Sequence, residues 1–238
     1  MLDAITTAEL GRRWAYRASV EWGAAHRFAR LAERMAAAGC APALIAAARE
    51  AARQEHAHVE LCAGLAARFG AAWQADDDPA PEVAPPSWSP HARVLYEVIA
   101  FCCVTETSNT ALVADGLPAI DDRAIERAAR RILADEVQHS RLGWQFLATH
   151  PLDAAHAQAI AAHLPAMLRG AVRIDLFRPH AIVGDEAAMA RHGSSPIAQR
   201  RAAFLAAMRE VLLPGLAAAG VDGAAGAALL DELAAHAA

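Results

Sequence analysis

Apolar residues recur at helical spacing over four long stretches of the chain, and each stretch is bounded by residues that start or stop helices. Thr6 and Glu9 form a capping-box signature ahead of a helix from about Thr7 to Ala38, closed by Gly39. Pro42 suits the first turn of a second helix, whose stripe Ala48, Ala52, Glu55, Cys62, Leu65 and Phe69 runs to Gly70. The link between the two is short, so they are expected to be antiparallel neighbours. The segment Asp76-Asp77-Asp78-Pro79 through Pro90 holds prolines at 79, 81, 85, 86 and 90, cannot be helix interior, and reads as a long crossover within one domain.

Ser89 and Pro90 open a third helix with the face Leu95, Ile99, Cys103, Glu106, Thr110 and Val113, ending near Asp115-Gly116. A fourth, capped by Asp121 or Asp122, continues to about Thr149. Beyond it the pattern predicts a helix from Asp153 interrupted near Pro165, a Gly193–Pro196 loop, a helix to about Leu216 and a weak Ala-rich tail. The predicted fold is all-α: a four-helix bundle with one long central crossover over residues 1–150, and a helical extension over 151–238 belonging to the same domain.

Composition agrees with helices. There are 65 alanines, 2 tyrosines and no lysine among 238 residues, and strand-forming residues are too sparse for an all-β fold. A net charge of -5 gives no basic footprint, so no nucleic-acid partner is expected. Mean hydropathy is +0.17, an effect of alanine, and no uninterrupted apolar run reaches the length of a membrane span. Met1–Leu10 lacks the basic and apolar regions of a secretory signal, and the expected location is the cytoplasm. Cys40, Cys62, Cys102 and Cys103 form no C-x-x-C pair and read as small packed hydrophobes.

Candidate chemistry lies at the middles of the four helices. Two Glu-x-x-His pairs, Glu55 with His58 and Glu136 with His139, are about what chance gives in a chain with 11 histidines. Their positions carry more. Glu55 and Glu136 are central in helices two and four, and Glu21 and Glu106 are central in helices one and three. Each second Glu brings a His three residues on, a pseudo-twofold pattern. The flanking residues, Ala18 and Ala25, Ala51 and Cys62, Ile132 and Gly143, place these acids on apolar stripes. Four buried carboxylates would repel and lose hydration unless cations compensate them, and two divalent ions match their charge.

This set, one Glu from each of two helices and Glu-x-x-His from the other two, resembles the ferritin-like di-iron carboxylate superfamily of ferritins, rubrerythrins, ribonucleotide reductase small subunits and di-iron oxygenases, over about residues 7 to 150. The resemblance implies that Glu21, Glu55, His58, Glu106, Glu136 and His139 bind two iron ions, Glu55 and Glu136 being the bridging candidates; manganese or a mixed pair also suits oxygen and nitrogen ligands. It further implies that Asp135 orients His58, that Gln54 does the same for His139, and that Thr110 stands near the oxygen-binding edge. The expected function is an O2-activating oxidoreductase acting on a small organic substrate with an external electron donor, as a monomer or homodimer and apart from membranes. The other readings are a ferroxidase or iron-binding protein and a metal-free helical scaffold. Trp22 and Trp144 are read as packing rather than electron carriers, and His163 and His180 as surface residues rather than pocket walls.

Overall fold

The computed structural model describes residues 2–77, 81–171, 176–178 and 183–235. Among the described residues every regular element is a helix and there is no strand. Asp78, Pro79 and His180, which figure in the sequence reading, lie outside the described residues.

Helix α1 spans Ala4–Ala37 and α2 spans Pro42–Arg68. The expected capping box at Thr6 and Glu9 is not what starts α1. Asp3 is the cap: its carboxylate accepts from the Thr6 amide at 2.9 Å and from the Thr6 hydroxyl at 2.7 Å. The same hydroxyl accepts from the Asp185 amide at 2.9 Å, and Glu9 instead pairs with Arg12 and Arg13. Gly39 at φ 72° turns the chain, and α2 then packs along α1 as its antiparallel neighbour, with Pro42 in its first turn. The crossover that follows is non-helical in its described parts. It is pinned to α1 where Trp73 Nε1 donates to Ser19 Oγ at 3.0 Å and Trp22 Nε1 to the Asp76 carbonyl at 3.1 Å.

The third rod is continuous from 90 to 116 but not uniform. Helix α3 (Pro90–Glu97), capped by Ser89, passes into a π-helical segment (Val98–Thr105), and α4 (Glu106–Gly116) completes it. No local signature predicts the π segment, an unbroken apolar run whose residues Val98–Val104 are all buried. Its wide turn shows in the Thr105 hydroxyl, which donates to the Ala100 carbonyl five residues back at 2.9 Å. Helix α5 (Arg123–Thr149) starts at Asp122, not Asp121: Asp122 Oδ1 accepts from the amides of Ala124 and Ile125. A β-carbon placed on Gly143 of α5 would lie 2.6 Å from Cys103 Sγ and 3.0 Å from the Cys103 amide nitrogen, so the π segment and α5 meet where only glycine fits.

Helix α6 (Ala154–Ala171) runs through Pro165 without the expected interruption. A proline there removes one backbone donor, and burial of Leu164 just before it and of Met167 and Leu168 just after it holds the helix together. A short α7 (Glu186–Arg191), capped by Asp185, is unexpected from the pattern. After the Gly193–Pro196 loop come α8 (Ile197–Ala207), a second π segment (Met208–Leu212) and α9 (Leu213–Ala218). The expected weak tail is instead an ordered α10 (Ala224–Ala235), which packs on α6; Gly226 permits close approach to Leu164 and Leu168.

Backbone contacts divide the chain into two compact units. The first comprises Met1–Val83, Gly116–Asp135 and Ala181–Pro196, and the second Ala84–Asp115, Glu136–His180 and Ile197–Ala238. The first centres on Leu10, Trp14, Phe28, Leu31, Ile125 and Ile132, the second on Ile99, Phe146, Ile160, Leu164, Phe204 and Met208. Helix α5 is one helix whose halves belong to different units. No helix among the described residues is long and apolar enough to cross a membrane.

Candidate metal centre

In the first unit, α1 carries Glu21 in the same buried stripe as Trp14, Ala18, Ala25 and Phe28, and α2 carries Glu55 and His58 between Ala51 and Cys62. All three are at most 1% exposed, and their candidate ligand atoms lie within 4.8 Å of one another. Such a group arises because heptad-like spacing drives both helix faces into the core, and the polar residues on those faces are carried in with them.

The surroundings of this triad are charged and ordered. His58 Nδ1 lies 3.2 Å from Glu55 Oε2, and His58 Nε2 lies 3.1 Å from Asp135 Oδ2. Asp135 is in turn held by Arg131 Nε at 2.8 Å. On the other side, Arg17 Nε donates to Glu21 Oε1 at 3.0 Å. Burial pushes the Glu21 carboxyl up, but the Arg17 guanidinium, His58 and a hydrogen bond from Glu55 outweigh it and hold it below the ordinary carboxylate value.

The second unit repeats the composition. Glu106, the first residue of α4, joins Glu136 and His139 of α5; all are at most 2% exposed, and their ligand atoms again lie within 4.8 Å of one another. His139 Nδ1 is 3.7 Å from Glu136 Oε2, and Asn109 Nδ2 donates to Glu106 Oε2 at 3.2 Å. Thr107 and Ser140 share a hydroxyl hydrogen bond of 2.9 Å that ties α4 to α5. Thr110, one turn beyond Glu106, has a buried hydroxyl that makes no hydrogen bond among the described residues. Gln54 is half-buried on α2 directly before Glu55.

Each triad therefore offers two carboxylates and one imidazole, a donor set that could hold one divalent ion and match its charge. Cys102 and Cys103 are fully buried, and burial pushes both thiols well above the usual range.

Sequence reasoning passed over Arg17, Arg131 and Asn109. The signal was there, since Arg17 precedes Glu21 by four residues, Arg131 precedes Asp135 by four, and Asn109 follows Glu106 by three, the spacings that bring helical side chains together. It also passed over Glu97, fully buried at the end of α3. Trp22 forms an edge-on cluster with His26, His56 and Trp73. His163 is half-buried against Trp88 and Tyr96, at ring-centroid distances of 5.0 and 5.8 Å, rather than simply exposed. Comparison of the chain with protein-family models, curated proteins and solved structures gives no match.

Proposed function

We propose that this chain is a non-haem dinuclear metal oxidoreductase of the ferritin-like kind, which activates O2 to oxidise a small organic substrate, using electrons from an external donor. The observation that carries this reading is the repetition of one donor set: Glu21, Glu55 and His58 in one unit and Glu106, Glu136 and His139 in the other are each buried and each gathered within 4.8 Å. A single buried acid can be a packing compromise. Two triads of the same composition, arranged as a sequence repeat, are costly features that metal ions would make stable.

A pair of redox-active ions held by these residues would supply the electron transfer to O2 that side chains alone do not perform. The chain's own part is positioning. Asp135 engages Nε2 of His58, so Nδ1, on the Glu55 side, would be the nitrogen that holds an ion. Burial of each triad keeps bulk water from its own donor atoms. The Thr110 hydroxyl, without a hydrogen-bond partner among the described residues, is available to hold or pass a proton beside Glu106. Helices α6 and α8–α10 give the second unit walls that iron storage does not require, which favours substrate chemistry over ferroxidase activity.

The test is metal analysis after anaerobic loading with ferrous ion, followed by exposure to O2. Two ions per chain are expected, with Glu136→Ala and His58→Ala each lowering the number bound. No bound metal would overturn the reading. Oxygen uptake coupled to an organic reductant supports oxidation of a substrate, whereas iron oxidation and accumulation alone would make the protein an iron handler.

A further inference from the structure

Arg17 stands outside the ligand set but touches it. Its Nε is 3.0 Å from Glu21 Oε1, while Glu21 itself is 1% exposed and shares the 4.8 Å cluster with Glu55 and His58. The arginine reaches the acid from the surface side of α1, with its side chain 28% exposed, and its guanidinium lies 6.0 Å from the centroid of the Trp14 ring. The charge is thus fixed in place at the edge of the first triad by two separate contacts.

We propose that Arg17 is a stand-in cation for the first triad: it neutralises Glu21 when no ion is bound and opposes the ion that enters, and so sets how tightly that ion is held. This rests on the metal-binding reading above. A carboxylate taken out of water needs a positive partner, and the guanidinium provides one in the metal-free protein. A divalent cation bound by the same carboxylate meets the guanidinium as a like charge one ligand away, and fixed charges at such range move binding equilibria by about tenfold or more. Arg17 is a positioning residue in this scheme, coordinating nothing itself.

The two effects have opposite signs, which separates this role from a structural one. An arginine that merely kept Glu21 ordered would, when removed, weaken both the fold and metal binding. Here Arg17→Gln, which keeps a donor but not the charge, is expected to melt about 3 °C lower in chelator and to bind manganese(II) about tenfold more tightly. Arg17→Lys, which keeps the charge, is expected to stay near the starting protein in both. The experiment is a manganese(II) chloride titration with thermal melts on the full chain, the melts repeated in a Glu21→Gln background, where the melting loss from Arg17→Gln should vanish because no carboxylate is left to neutralise. Unchanged or weaker manganese binding by Arg17→Gln overturns the proposal while leaving the metal site standing. A starting protein that binds neither manganese nor iron removes the metal reading itself.

Discussion

His58 Nε2 lies 3.1 Å from Asp135 Oδ2, across 77 residues of sequence, and this contact engages one of the two ring nitrogens. With Nε2 engaged, Nδ1 is the nitrogen on the Glu55 side, 3.2 Å from Oε2. Arg131 holds Asp135 from outside, so the acid cannot readily swing away from the ring. Asp135→Asn preserves size and loses charge; it should lower metal affinity about 10- to 100-fold, as removal of an outer partner of a ligating histidine does. Arg131→Met should cost much less, since its side chain is 55% exposed and such ion pairs are weak. Equal affinities for Asp135→Asn and the parent protein in a metal titration would remove Asp135 from the site.

Thr110 gives a prediction of unusual sign for a buried polar residue. Its hydroxyl is shielded from water and makes no hydrogen bond among the described residues, so the fold bears the cost of desolvating it. Thr110→Val, of nearly the same shape, should therefore leave stability unchanged or raise it by up to about 1 kcal/mol, with metal stoichiometry intact. Oxygen-dependent turnover should fall in the same variant. A clear drop in the urea midpoint would mean that the hydroxyl has a structural partner and no spare capacity for proton handling.

Helix boundaries governed by local chemistry were legible: Ser89 and Asp122 as caps, Pro42 and Pro90 in first turns, Gly39 and Gly70 at the ends of the first two helices. Where two local signals competed, tertiary contacts chose. Thr6 looks like a cap, but Asp3 caps α1 and leaves the Thr6 hydroxyl to bind the Asp185 amide, 179 residues away. The π segment was illegible because an apolar run carries no mark of its turn width. The residue types of the two triads could be read from periodicity, since Glu and His recurring on apolar stripes are conspicuous. The second contacts, such as Asp135 on His58, could be proposed only through resemblance, because no pattern within one helix specifies a partner on another.

Gly143 and Gly64 form a contrasting pair. An alanine methyl on Gly143 would meet Cys103 Sγ at 2.6 Å, Cys102 Cβ at 2.9 Å and the Cys103 backbone nitrogen at 3.0 Å, and the backbone atom cannot rotate away. Gly143→Ala should destabilise the protein by about 1–3 kcal/mol despite the higher helix propensity of alanine. Gly64, in the exposed interior of α2, has no neighbouring atom within 4 Å of such a methyl. Gly64→Ala should stabilise by about 0.5–1 kcal/mol. Urea denaturation of both variants checks the pair, and like signs would contradict the close approach of α5 to the π segment.

Asp122 ties the start of α5 to the end of α2. It accepts from the Ala124 amide at 2.9 Å and the Ile125 amide at 3.1 Å, and Arg68 donates to both of its oxygens. Arg68 above all, and the two backbone amides, hold its carboxyl well below the usual range against the opposing effect of burial. A depressed acid stabilises the fold in full above the unfolded-chain value near pH 4, and that contribution is lost as pH falls towards the folded-state value. Asp122→Ala should then cost about 1–2 kcal/mol at pH 7, where cap and ion pair are both intact. The cost should hold steady down to about pH 4 and shrink below it, because the parent protein loses the advantage that the variant never had. Parallel melts of the two proteins from pH 7 to pH 2.5 test this, and a constant separation across that range would show that the carboxylate charge contributes nothing to the junction.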